Sequence, residues 1–144
     1  VFPHLEAPDF HDMPFDDRVA MVDTMLTEEP DEPVFLIGSS LGGLMAMHLA
    51  NQHPKTVKGY VLLAPAPNDT GIPIEHVPAI THMILGTEDE IEGLNTAAVG
   101  FAKEFGIPTT LVHDGHRMEH SIPEIVATAE ETYKQTEVSM FWGS

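Results

Sequence analysis

The chain of 144 residues contains no cysteine. Disulfides, thiolate metal sites and a cysteine nucleophile are thereby excluded, and the composition fits the reducing cytoplasm. Basic side chains are nearly as scarce: six lysines and arginines stand against 23 acidic residues, for a formal net charge of -17. Such a surface repels nucleic-acid backbones and anionic membranes, so neither is an expected partner. No apolar run approaches the ~20 residues that span a bilayer. No basic start followed by an apolar core marks a secretory leader, although Val1 is an unusual beginning for a complete natural chain. The acids are scattered rather than blocked, which describes a solvated surface and not a disordered tail. An ordinary acidic cytoplasmic protein accounts for them. Adaptation to salt, where carboxylates hold water and self-repulsion is screened, is the alternative.

What is present is an alternation of short apolar strands and helical segments. Strands are expected at Val1–Leu5, Val34–Ile37, Gly59–Ala64, His82–Leu85 and Thr109–His113. Helical spacing of apolar residues runs over Asp16–Glu29, Leu41–Gln52, Leu94–Phe105 and Pro123–Gln135. Gly106 and Pro108 close the third helix, and Pro123 opens the fourth. Ala7–Pro14 and Pro65–Asp69 read as loops. The order predicts one α/β domain over residues 1–136, a minimal doubly wound parallel sheet of about five strands with helices on both faces. Residues 137–144, ending Met140-Phe141-Trp142-Gly143-Ser144, have no place in that pattern. They read as an expression scar, or as an apolar tail docking on the body or on a second copy in a homo-oligomer.

The second expected strand runs directly into Gly38-Ser39-Ser40-Leu41-Gly42, a Gly-x-Ser-x-Gly pattern followed at once by a helix. In that context the glycines at 38 and 42 permit a sharp strand-to-helix turn. Ser40 is held there in a strained conformation with its Oγ exposed, and the Leu41 N–H faces an oxyanion. The competing reading is a tight turn in which Ser39 and Ser40 only cap the helix. A serine hydroxyl needs a general base, and the base needs a carboxylate. In an open parallel sheet, reactive groups gather beyond the carboxyl ends of the strands. Two loops there qualify: Gly86-Thr87-Glu88-Asp89-Glu90 with three acids, and His113-Asp114-Gly115-His116-Arg117-Met118-Glu119-His120 with three histidines. Asp114 is also suited to a local turn hydrogen bond. The histidines carry no carboxylate at ligand spacing, so no metal and no cofactor is expected. His48 and His53 are assigned structural roles. Met45, Met47, Met83 and Met118 fill core gaps or line an apolar acyl pocket.

Taken together, the elbow Gly38–Gly43, the strand ending Leu62-Leu63-Ala64-Pro65-Ala66, the Gly86-Thr87-Glu88-Asp89 turn and the Asp114-Gly115-His116 turn resemble the α/β-hydrolase superfamily, in particular its small, nearly lidless serine esterases. The likeness covers roughly Val34 to Lys134. It implies Ser40 as nucleophile, Asp89 as triad acid, His116 as base and the Leu41 N–H as one oxyanion donor. Glu88 and Glu90 compete with Asp89, and His120 and His113 with His116. Family members usually carry an earlier strand ending in a His-Gly loop that supplies a second oxyanion donor. Val1–Asp31 contains no such turn, and Val1–Phe10 instead resembles the family's next strand and loop. The fold is therefore expected to lack its N-terminal strands unless a loop around His4 or His11 substitutes. The short Pro65–Pro78 connection leaves no room for a lid. The resemblance implies a carboxylesterase acting on small, short-chain esters. An acyltransferase, thioesterase or perhydrolase would use the same triad. A non-catalytic binding protein, or a fragment completed by a partner chain, would need no turnover at all.

Overall fold

The computed structural model describes residues 14–28 and 33–142, and the chain divides into two compact units, Val1–Glu32 and Pro33–Ser144. The expected strand Val1–Leu5, most of the Ala7–Pro14 loop, and His4 and His11 lie outside the described residues. In the first unit, α1 (Phe15–Glu28) starts within one residue of its predicted position. Asp16 and Asp17 fill its first turn, where carboxylates complement the exposed N–H groups. The Pro14 carbonyl accepts from the Asp17 and Arg18 N–H groups at 3.0 and 3.1 Å.

The second unit contains β1 (Val34–Ser39), α2 (Leu41–Gln52), β2 (Val57–Leu63), β3 (Ile80–Gly86), α3 (Leu94–Phe105), β4 (Thr109–Val112) and α4 (Ile122–Trp142). The strands form a four-stranded sheet in the order β1-β2-β3-β4, every pair parallel. Four of the five expected strands are thus present among the described residues. β2 and β3 each start two residues earlier than predicted. At the start of β2, Gly59 admits a close approach: a Cβ there would lie 2.5 Å from the Ile80 carbonyl oxygen. α2 and α3 have the predicted bounds. α4 runs past Gln135 to Trp142, so the backbone of the segment read as a tail continues the helix. No helix among the described residues is long and apolar enough to cross a membrane.

Side-chain alternation along the strands distributes the core over both faces. Val61, Ile84 and Val112 cluster with Ala129 of α4, and Phe35 and Ile125 pack against them. Phe35 also meets Tyr133 of α4 edge-on, with ring centroids 5.4 Å apart. On the opposite face α2 lies against β1 and β2. Tyr60, Leu62, Met83 and Leu85 are completely buried. Each such aliphatic side chain contributes about 1.5–3 kcal/mol relative to exposure. α2 is buried along most of its length, from Gly43 to Ala50. α3 ends where Gly106 takes a left-handed conformation (φ 67°), its N–H bonded to the Ala102 carbonyl.

The β2–β3 connection, residues 64–79, contains no helix. Asn51 of α2 pins it instead. Its Oδ1 accepts from the Glu75 and His76 N–H groups at 2.7 and 2.9 Å, and its Nδ2 donates to the Pro73 carbonyl at 3.2 Å.

Candidate active site

β1 ends at Ser39 and α2 begins at Leu41, leaving Ser40 alone to turn the chain. Its backbone sits at φ 55°, ψ -116°, a left-handed φ that residues with a Cβ rarely adopt. Main-chain bonds hold it there. The Ser40 N–H donates to the Leu63 carbonyl at 2.9 Å, and the Ser40 carbonyl accepts from Ala66 at 2.9 Å and Gly43 at 3.0 Å. The glycine requirement differs from the expected one. A Cβ on Gly38 would collide with the Gly42 carbonyl and lie 2.8 Å from the Gly43 nitrogen, and one on Gly43 would lie 2.9 Å from Pro65 Cβ. A Cβ on Gly42 would meet nothing within 4 Å. Gly38 and Gly43, not Gly38 and Gly42, are the positions that only glycine fits.

Ser40 occupies the N-cap position of α2, yet its hydroxyl makes no capping bond. The Oγ lies 2.9 Å from His116 Nε2, and His116 Nδ1 lies 2.8 Å from Asp89 Oδ2. A carboxylate only accepts, so Nδ1 carries the proton, and in the neutral imidazole Nε2 is then the acceptor of the serine O–H. The Asp89 side chain is wholly buried and the imidazole 15% exposed. Of the three acids after β3, only Asp89 turns inward. Its N–H bonds back to the Gly86 carbonyl at 3.2 Å, and its Oδ1 accepts from the Ile91 N–H at 2.9 Å. Glu88 faces out and pairs with His113 Nε2 at 3.3 Å. Glu90 accepts the His116 backbone N–H at 3.2 Å.

The loop carrying His116 is organised by Asp114, which is buried. Its Oδ1 accepts from the Gly115 N–H at 2.8 Å. Its Oδ2 accepts from the His120 N–H at 2.8 Å and the Ser121 hydroxyl at 2.9 Å. Burial alone would raise the Asp114 pKa, but the bonds from Ser121, Gly115 and His120 outweigh it and hold the carboxyl below its ordinary range. The expected local turn bond is therefore present and is one of three. His120 contributes its backbone to this network while its side chain is exposed, and His113 is exposed as well. His48 is buried in α2, its Nε2 3.4 Å from Thr70 Oγ1. No group of three or more histidines and acids with metal-holding geometry occurs among the described residues. All four methionines singled out, Met45, Met47, Met83 and Met118, are core residues. Met47 borders a groove of about 390 Å³ between α2 and α3. The groove had no sequence signal beyond the missing helix between β2 and β3.

A parallel sheet with a serine on the positive-φ turn after the first strand, joined to an acid after the third strand and a histidine after the fourth, is the architecture of the α/β hydrolases. Residues 3–91 match the family described as serine aminopeptidase, S33, and the chain belongs to that α/β-hydrolase family. The match includes Ser40 and Asp89 and stops before His116. Among curated proteins, the chain is 43% identical over 51 residues to Lipase LipV of Mycobacterium tuberculosis. It is 39% identical over 49 residues to Monoglyceride lipase of Mus musculus. Those segments cover 35% and 34% of this chain, but only 20% and 16% of the two lipases. Among solved structures, one described as a hydrolase of the α/β superfamily from Xanthomonas campestris superposes with a TM-score of 0.67 at 23% identity, covering 83% of this chain and 68% of that one. Est1E from Butyrivibrio proteoclasticus gives 0.67 at 15% identity, covering 88% and 72%. At these identities the superpositions establish the shared fold.

Proposed function

We propose that this chain carries the catalytic site of a serine hydrolase that cleaves small carboxylic esters through an acyl-enzyme. One observation carries the reading: the unbroken hydrogen-bond chain from Asp89 through His116 to Ser40, whose hydroxyl is turned away from helix capping. In this mechanism Ser40 Oγ attacks the ester carbonyl while its proton passes to His116 Nε2. Asp89 stays ionised and stabilises the imidazolium. The tetrahedral oxyanion is met by the Leu41 N–H, which has no acceptor within its own helix because it lies in the first turn. The carbonyl re-forms, the bond to the alcohol oxygen breaks, and Nε2–H protonates the leaving alkoxide. Water then attacks the acyl-serine with His116 as base, releasing the acid and restoring Ser40. None of these steps calls for a cofactor. The acidic surface favours neutral or cationic substrates over anionic ones.

The test is hydrolysis of p-nitrophenyl acetate together with labelling by an active-site phosphonate. Ser40→Ala should abolish both. Retained hydrolysis in that variant would sink the reading. The family's peptidase description makes amides the competing substrate class, since the same steps expel an amine. Faster turnover of an amino-acyl p-nitroanilide than of the matching ester would favour it.

A further inference from the structure

The structure assigns Glu90 as a positioning residue for His116: its carboxylate fixes the main chain of the base while Asp89 fixes the ring. The inference rests on the serine-hydrolase reading above and adds to it a residue that neither the triad nor the elbow calls for. The turn after β3 meets the loop after β4 residue by residue. The Thr87 N–H donates to the Val112 carbonyl at 2.9 Å, and the Glu88 N–H to the Asp114 carbonyl at 3.0 Å. The Glu88 side chain pairs with His113. Asp89 and Glu90, adjacent in sequence, both reach His116. Asp89 Oδ2 lies 2.8 Å from the ring Nδ1, and Glu90 Oε2 accepts from the main-chain N–H at 3.2 Å.

Each bond controls what the other cannot. The bond at Nδ1 sets the tautomer and the rotation of the imidazole. The Cα from which the ring swings is placed by the main chain. Asp114 shapes the loop through Gly115, His120 and Ser121, and none of those bonds falls on His116. The bond on the His116 N–H is the one from Glu90, and an ionised acceptor makes it stronger than a bond to a neutral carbonyl. The side chain has the length for the task. Gly115 leaves its path bare: a Cβ there would lie 3.3 Å from Glu90 Oε2. An aspartate at position 90 would stop one methylene short. Glu90 is exposed whereas Asp89 is wholly buried, so trimming Glu90 opens no cavity. Both anchors bear on the 2.9 Å approach of Nε2 to Ser40 Oγ, where a displacement of ~1 Å costs on the order of 100-fold in rate.

Three variants separate reach from charge. Glu90→Gln keeps the reach and an acceptor oxygen without the charge, Glu90→Asp keeps the charge without the reach, and Glu90→Ala keeps neither. Each is assayed for p-nitrophenyl acetate hydrolysis and for the proton NMR resonance of the His116 Nδ1–H. Glu90→Ala and Glu90→Asp should lower kcat about tenfold with KM within about twofold, while Glu90→Gln stays within about threefold of wild type. The Nδ1–H resonance should shift or broaden in the first two and hold its place in Glu90→Gln. Glu88→Ala, which releases the His113 side chain, should move neither readout. Wild-type kcat and an unmoved resonance in Glu90→Ala would overturn the assignment and leave the hydrolase reading standing. So would an equal loss in Glu90→Gln and Glu90→Ala, because the charge and not the grip would then be what matters. No hydrolysis by the wild-type chain, with Ser40 unlabelled by phosphonate, would overturn both.

Discussion

The two halves of the candidate site are held by different forces. At the elbow, Ser40 is fixed by main chain: a left-handed φ, carbonyl and N–H bonds to β2 and the loop after it, and glycines at 38 and 43 where no Cβ fits. In the loop that carries His116 the work falls to one buried side chain, Asp114, with three donors on its carboxylate. A main-chain clamp has no titratable part. A carboxylate clamp does. Ser40 is therefore locked in a way acid does not reach, while His116 is locked in a way acid undoes.

Breaking either lock should separate them experimentally. The largest effect belongs to the chemistry both serve: His116→Ala should reduce ester turnover by about 10⁶-fold, and Asp89→Asn by about 10⁴-fold, measured as kcat. Next is Gly38→Ala. Its methyl group meets main chain that cannot yield, so stability should fall by about 1–3 kcal/mol or more in denaturant unfolding. Displacing Ser40 by about 1 Å would cost on the order of 100-fold in kcat. A Gly38→Ala protein with wild-type stability would refute the main-chain account of the elbow.

The third test is acid. Because folding depresses the Asp114 pKa, its carboxylate stabilises the loop at every pH above the unfolded carboxylate value of ~3.9. That stability drains away as pH falls through the lower folded value. Asp114→Asn cannot accept all three bonds, so it should show reduced kcat already at neutral pH with KM little changed. It should also lack the acid-dependent loss of loop protection that hydrogen exchange reports in the wild type. An identical acid response in both proteins would mean that another group governs the loop. The smallest effect is expected at Gly42→Ala. Its Cβ meets open space, and alanine in a helix gains about 0.5–1 kcal/mol over glycine with activity unchanged.

Most of the sheet and the residues that meet at the candidate site were legible in the sequence because they depend on local signals or on the turns the family resemblance picked out. Val34–Ile37 is a short apolar run feeding a glycine turn, and α2 and α3 carry unbroken apolar spacing between clear stops. What was not legible depends on distant contacts. Gly43 rather than Gly42 must be glycine because Pro65, 22 positions on, rests against it. The family resemblance had pointed to Asp89 over Glu88 and Glu90, but the reason it meets His116, a turn after Gly86 that points this side chain inward, is three-dimensional. Asp114 was readable as a turn former from its neighbour Gly115, but its bond to Ser121 requires the loop to close on itself. Nothing in residues 137–142 announced that the last helix continues through them.

Gly86 ends β3, and a Cβ there would lie 2.5 and 2.7 Å from the carbonyl oxygens of Asp114 and Gly115. The Asp114 carbonyl also accepts the Glu88 N–H at 3.0 Å. At Gly86 the loop bearing Asp89 and the loop bearing His116 are thus stacked backbone on backbone. They should open together as one cooperative unit, so that amides 87–91 and 114–121 exchange with a common free energy of opening.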